Sequence, residues 1–189
     1  MSILSQTYLV PSPRFRLSLA AAVFLCLFGC NQKRLPTTVP DFVLPEVRGG
    51  SFHLRAEDSS AILLAFLQTV PDTADTPSRR QAGLLMSLQR QFSTGRLQVV
   101  VVDSSALLTH RPPGTEALIN ASYDWQLQLP LLVDEGNHLA RSLGIDQVPS
   151  FLLLAPDGDI VERWSGLTGP ASLAASIRPL IATSGSAVR

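Results

Sequence analysis

The residues with the greatest capacity for covalent chemistry are two cysteines, Cys26 and Cys30, which both lie in the first 30 of 189 residues. Paired thiols can form a disulfide or bind a metal, and a single thiol can accept an acyl group. Because residues 31–189 contain no cysteine, that part of the chain can form no internal disulfide. The histidines, His53, His110 and His138, are far apart and show no metal-ligand spacing. We therefore expect no metal site and no cofactor.

The segment that contains the cysteines predicts export. Arg14 and Arg16 precede a twelve-residue apolar run, 17–28. A transmembrane helix needs about 20 residues, so a basic start with this shorter apolar core is typical of an export signal. The run ends in Leu27-Phe28-Gly29-Cys30, which resembles the bacterial lipobox. The resemblance implies cleavage between Gly29 and Cys30 and lipidation of the Cys30 thiol. A plain secretory signal and an uncleaved anchor are the alternatives.

Lipidation would set both the location and the domain boundaries. The resemblance implies a membrane partner reached through a lipid anchor, in a bacterial cell envelope, facing the periplasm or the exterior. Asn31 is not the aspartate that commonly retains lipoproteins at the inner membrane, which favours the outer membrane in a Gram-negative host. We expect a signal peptide at 1–29, a lipidated tether at 30–40, a folded domain at 41–183 and a flexible tail at 184–189.

Composition restricts the function of the folded domain. Hydrophobic residues make up 46% of the chain, which excludes a disordered or fibrous protein. The 15 basic and 15 acidic residues give zero formal charge, so no nucleic-acid partner is expected.

The apolar pattern after residue 40 predicts alternating strands and helices. Strands are expected at 41–44, 51–54, 61–67, 97–102, 130–133, 151–154 and 160–164. The first long helix is capped by Thr76, has Pro77 in its first turn and is closed by Gly95. Further helices are expected at 115–125, 136–143 and 171–182, with the last bent or shortened by Pro179, and a loop is expected at 104–114. This order predicts an α/β fold, with a mixed central sheet, helices on both faces and an N-terminal β-hairpin.

Three segments identify a family resemblance. The sequence Leu143-Gly-Ile-Asp-Gln-Val-Pro149-Ser-Phe resembles the C-terminal half of thioredoxin-like proteins of the TlpA/ResA and redoxin type, as does the Asp157-Gly158 turn that follows. Pro40-Asp-Phe-Val-Leu-Pro45 and Leu131-Leu-Val-Asp134 resemble earlier segments of the same proteins. The resemblance implies a thioredoxin-like fold and a cis bond between Val148 and Pro149, beside the family's redox dithiol and its partner-binding groove.

The dithiol itself is missing. The family carries Cys-x-x-Cys at the start of the first long helix, because one thiol attacks and the other resolves the mixed disulfide. Counting from the preceding strand places the pair at Pro71 and Ala74, whereas counting back from the helix places it at Asp75 and Ser78. The family often has a carboxylate three residues after the second cysteine, and the helix count places Gln81 there.

Two functions remain open. The first is a membrane-anchored thioredoxin-fold lipoprotein without dithiol chemistry, which acts as a binding or scaffolding module for an envelope protein. The second is a thioredoxin-family oxidoreductase that takes part in thiol-disulfide or antioxidant chemistry with thiols supplied by a partner. An insulin-reduction assay distinguishes them.

Overall fold

The computed structural model describes residues 35–54, 60–70, 76–92 and 96–183. The expected signal peptide, Cys30, the tail at 184–189, and Pro71, Ala74 and Asp75 lie outside the described residues. Within the described ranges, no helix is long and apolar enough to cross a membrane.

The described residues form a mixed sheet and a separate hairpin. The strands are β1 (Phe42–Pro45), β2 (Ser51–Leu54), β3 (Ala61–Leu67), β4 (Leu97–Asp103), β5 (Leu131–Val133), β6 (Ser150–Leu154) and β7 (Ile160–Ser165). The helices are α1 (Pro77–Gln91), α2 (Ala106–Thr109), α3 (Thr115–Asp124), α4 (His138–Ser142) and α5 (Pro170–Thr183). The sheet order is β5-β4-β3-β6-β7, and β1 pairs with β2 alone. The α/β fold with a mixed sheet and an N-terminal hairpin is therefore confirmed.

The side chains of the central strand β3 pack against helices on both faces of the sheet. All seven of its side chains are buried, and it pairs in parallel with β4 and antiparallel with β6. Successive side chains of a strand point to opposite faces. Leu63 packs in a core with Leu85 of α1 and Leu173 of α5, whereas Leu64 packs with Leu139 of α4. Helices therefore cover both faces, as expected.

Three helical predictions need correction. The expected loop at 104–114 contains α2, whose four residues are too few to show a helical stripe. The expected helix at 136–143 is broken by positive φ angles at Gly136 (69°) and Asn137 (55°), which separate a 3₁₀ turn from α4. Helix α5 is not shortened by Pro179, since it continues to residue 183. Pro179 removes one backbone donor, but the fully buried Leu173 and Ile177 hold the helix on the sheet.

Residues 35–39, which we call the strap, pack along the outer edge of β7. The N–H of Ile160 donates to the Thr37 carbonyl at 2.7 Å, and the N–H of Val39 donates to the Gly158 carbonyl at 3.0 Å. Thr38 forms an antiparallel bridge with Asp159. The strap therefore packs onto the domain that the sequence places at 41–183, because Val39 is buried and the strap supplies hydrogen bonds to an exposed sheet edge.

Gln89 completes the hydrogen bonding at the start of β4. Strand β5 reaches only residues 101–103 of β4, so the first residues of β4 have no strand partner on that side. The side-chain amide of Gln89, on α1, forms the hydrogen bonds that a neighbouring strand would otherwise provide there. Its Oε1 accepts from the N–H of Val99 at 2.8 Å, and its Nε2 donates to the Leu97 carbonyl at 3.1 Å.

We predict that Gln89→Ala lowers the free energy of unfolding by about 1–3 kcal/mol, because it leaves backbone groups of Val99 and Leu97 without partners. Urea denaturation measures this loss. Gln91→Ala, an exposed change at the end of the same helix, is the control and should stay within about 0.5 kcal/mol of wild type. Equal losses in both variants would contradict the role assigned to Gln89.

Candidate functional site

The candidate site lies where β3 ends, β6 begins and α1 starts. The register pairs Phe66 of β3 with Ser150 of β6, so the residues just before Ser150 lie beside the end of β3. The peptide bond between Val148 and Pro149 is cis, which is the geometry expected from the sequence.

The first turn of α1 is fixed as the sequence predicted. Thr76 is the N-cap, with its Oγ1 accepting from the N–H of Arg79 at 3.2 Å, and Pro77 occupies the first turn. Ser78 follows, with only 2% of its surface exposed. Its Oγ accepts from the N–H of Gln68 at 2.9 Å. Ser78 therefore lies directly against the end of β3.

Gln81 lies one helical turn after Ser78 and is also buried, with 5% of its surface exposed. Its Oε1 has no hydrogen-bond partner among the described residues. The structure thus places two of the three positions from the helix count, Ser78 and Gln81, on the buried side of α1. That they replace a thiol and an acid stays a prediction.

A buried network that the sequence did not reveal anchors the segment between β3 and α1. Asp103, at the end of β4, accepts at Oδ1 from the Thr69 hydroxyl at 2.5 Å and from the Ser105 hydroxyl at 2.6 Å. The Ser105 Oγ also accepts from the N–H groups of Thr69 (3.0 Å) and Val70 (2.9 Å). The network therefore fixes residues 69–70, just before residues 71–78, the segment in which the two counts from the sequence place the dithiol positions. Because the Ser105 hydroxyl donates once and accepts twice, it is poorly placed to act as a nucleophile.

Burial raises the pKa of Asp103, and the hydrogen bonds from Ser105 and Thr69 oppose that rise only in part. Loss of water around a carboxylate disfavours its charged form, whereas hydrogen bonds from hydroxyl and N–H groups favour it. The only sequence signal for this network is that polar residues, Asp103-Ser104-Ser105, end a buried strand at the edge where β3 also ends.

Residues 166–167, which follow β7, lie beside Pro149. Its carbonyl accepts from the N–H of Gly166 at 2.8 Å, which ties the residues after β7 to the cis bond. The next side chain, Leu167, is 59% exposed. Val148 is half-buried against the core. Exposed apolar surface therefore lies next to Pro149 at Leu167, whereas Val148 packs against the core.

The described residues of the site offer hydrogen bonds and apolar contact. Within the described ranges, no group of three or more His, Cys, Asp or Glu side chains could hold a metal ion. His53 lies on β2, where its ring contacts the Ser51 hydroxyl at 2.9 Å, His110 follows α2 and His138 begins α4. The structure does not bring the three histidines to the groove.

We predict that Asp103→Asn changes how stability depends on pH. The variant keeps an acceptor oxygen but cannot ionise. In wild type, the folded-state pKa of Asp103 is above its ordinary value of 3.8, so the contribution of Asp103 to stability is greatest below that value and falls as pH rises through the folded-state pKa. The variant should lack this decrease in stability, because its side chain does not ionise.

Urea unfolding of both proteins between about pH 4 and 8 tests this dependence. Stability of wild type minus that of the variant should decrease as pH rises, and an increase would show that the pKa of Asp103 is lowered instead. Asp124→Asn, at an exposed carboxylate that ends α3, is the matched control.

No protein-family model and no curated protein matches the sequence. Solved structures do match. A proposed thiol:disulfide interchange protein DsbE from Chlorobium tepidum has a TM-score of 0.66 and 19% identity, covering 78% of this chain and 98% of its own. A thioredoxin family thiol:disulfide interchange protein from Chlorobium tepidum TLS has a TM-score of 0.62 and 15% identity, covering 78% and 98%. A thiol-disulfide oxidoreductase from Bacteroides fragilis has a TM-score of 0.61 and 19% identity, covering 76% and 98%.

These likenesses span nearly the whole length of the matched structures, and at this level of identity they concern the fold. Together with the five-stranded mixed sheet, the helices on both faces and the cis bond before β6, they identify the chain as a protein with a thioredoxin-like fold.

Proposed function

We propose that this protein is a lipid-anchored thioredoxin-fold protein of the bacterial cell envelope, which binds a polypeptide partner in the groove beside Pro149 and performs no dithiol chemistry of its own. One observation carries the proposal. The thioredoxin-like sheet and the cis bond before Pro149 are present, whereas residues 31–189 contain no cysteine.

The buried residues at the groove support the loss of redox chemistry. Disulfide exchange requires one thiolate to attack and a second thiol to resolve the mixed disulfide. A serine hydroxyl, such as that of Ser78, cannot form a disulfide, and here it accepts a hydrogen bond from Gln68. The Gln81 amide cannot exchange a proton near neutral pH as a carboxyl group can. Cys30 cannot substitute if it is lipidated, because its sulfur is then a thioether.

The exposed residues at the groove support binding. Leu167 presents apolar surface beside Pro149, and the Gly166 to Pro149 hydrogen bond holds that segment in place. A groove that is already formed loses little conformational entropy when a partner binds. An extended polypeptide, with an apolar side chain that covers Leu167, fits this surface.

The alternative is an oxidoreductase that uses partner thiols. It is favoured by the structural neighbours, which are named for thiol-disulfide chemistry. The proposal also includes the lipid anchor, the envelope location and attachment to the outer membrane. These parts rest on the resemblance of Leu27-Phe28-Gly29-Cys30 to a lipobox.

We predict that purified wild type does not reduce insulin above the uncatalysed rate, because it has no attacking thiol after residue 30. The double variant Asp75→Cys, Ser78→Cys should form an intramolecular disulfide and reduce insulin. Ser78→Cys alone is the control, since one thiol cannot resolve the mixed disulfide. Reduction of insulin by wild type at the rate of a dithiol protein would overturn the non-redox function. A double variant without a disulfide would reject the helix count for these two positions.

We predict that Leu167→Glu weakens binding of a fluorescently labelled, unfolded casein about tenfold, or about 1.4 kcal/mol, since it places a charge against an apolar contact. Fluorescence anisotropy measures the affinity. Val43→Glu is the matched control, because Val43 is 57% exposed on β1, away from the groove, and should bind as wild type does. Equal weakening in both variants, or no binding by wild type, would contradict the binding site.

A further inference from the structure

The strap brings two exposed apolar side chains together at the β7 edge. Leu35 is 52% exposed and Val161 is 49% exposed. Both line an open cleft of about 410 Å³ between residues 35–37 of the strap and residues 160–163 of β7. Leu35 follows residues 30–34 directly in the sequence, and these residues would form the first part of the tether in the proposed anchored protein.

Arg163 fixes the position of that junction. Its guanidinium donates through Nη2 to the Pro36 carbonyl and through Nη1 to the Leu143 carbonyl, the latter at 2.8 Å. The Leu35 side chain packs so closely on Gly144 that an added Cβ there would lie 2.3 Å from Leu35 Cδ2. The start of the domain is therefore held against β7 and the residues that lead into the groove.

The length of the tether limits where a lipid anchor can lie. Leu35 is five residues beyond Cys30, and five steps of ~3.6 Å reach at most about 18 Å. A folded domain of this size has a radius of gyration of about 15 Å and is therefore wider than that reach. If Cys30 carries the lipid, as the proposed function holds, Leu35 must remain close to the lipid surface.

We propose that the β7 edge marked by Leu35 and Val161 is the face with which the anchored domain rests on the lipid bilayer. Apolar side chains at this edge enter the interfacial region, as in other peripheral contacts. This inference rests on the proposed anchor and names the surface that the anchor presents to the membrane.

The charges at the two ends of the strap determine how the β7 edge is expected to tilt relative to the bilayer. Lys33 and Arg34 immediately precede Leu35 and attract anionic headgroups. Asp157 and Asp159 lie at the opposite end of the strap, where Thr38 contacts Asp159, and are repelled by the same headgroups. The Leu35 end therefore lies nearer to the bilayer than the β6–β7 turn.

Site-directed quenching tests the orientation in the mature, lipidated protein, which begins at Cys30 and lacks Cys26. The protein is reconstituted in vesicles of phosphatidylcholine and phosphatidylglycerol that contain a spin-labelled phosphatidylcholine. A lipidated Cys30 has no free thiol, so Val161→Cys or Tyr123→Cys gives a single labelling site for a fluorophore. Tyr123 is 68% exposed on α3, which connects β4 to β5 at the other edge of the sheet. Quenching at residue 161 should exceed that at residue 123 several-fold.

Two further measurements separate this inference from the anchor. A Gly-Ser insertion of about ten residues after Asn31 lengthens the tether, and residue 161 should remain more strongly quenched than residue 123 because Leu35 and Val161 contact lipid themselves. Equal quenching of the two sites in a protein that floats with the vesicles overturns this inference alone.

The Cys30→Ser variant should no longer float with the vesicles. If wild type also fails to float and takes up no labelled fatty acid, both the anchor and this inference are overturned.

Discussion

The double pairing of β3 is the constraint on which the site depends. Parallel pairing with β4 brings Asp103 to the same edge as the end of β3, and antiparallel pairing with β6 brings Pro149 there from the opposite direction. Helix α1 then starts at this edge because Thr76 and Pro77 provide its cap and first turn. A shift of one residue in either pairing would turn buried side chains toward the opposite face. The burial of all seven β3 side chains makes such a shift costly, so Asp103 and Pro149 are held at this edge by strand pairing.

Hydrogen bonds stabilise the segment that enters the groove. Thr69, Ser105 and Asp103 form a compact network in which one carboxylate oxygen and one hydroxyl serve as the common acceptors. Satisfied polar networks in a dry environment stabilise one conformation, because each unpaired member would be expensive. Residues 69–70 are therefore held in place by hydrogen bonds alone, with no disulfide in the part of the chain from residue 31 onward.

The features that could be predicted from the sequence are local in the chain. The apolar run at 61–67, the Thr76-Pro77 helix start and the residues around Val148-Pro149 each carry their own signal, and the structure contains the corresponding elements. The Asp103 network was missed because it joins side chains 34 residues apart, and the strap was missed because Thr38 meets Asp159 across 121 residues. Leu167 was missed for a similar reason, since its position beside Pro149 depends on a bond between Gly166 and a distant strand start. No local spacing encodes such contacts.

The strap also determines how the domain responds to mechanical force. Its contacts with β7 follow one another along the edge, from Arg163 with Pro36 to Ile160 with Thr37 and then Gly158 with Val39. A force on Leu35 directed away from the sheet would break these hydrogen bonds one after another, in that order, starting from the Leu35 end of the strap. A force parallel to β7 would load all of them together in shear. The same few hydrogen bonds therefore resist drag along the strand direction much better than lifting from the edge. The first bond lost in lifting is the one from Arg163 to the Pro36 carbonyl, while the bond from Arg163 to the Leu143 carbonyl remains.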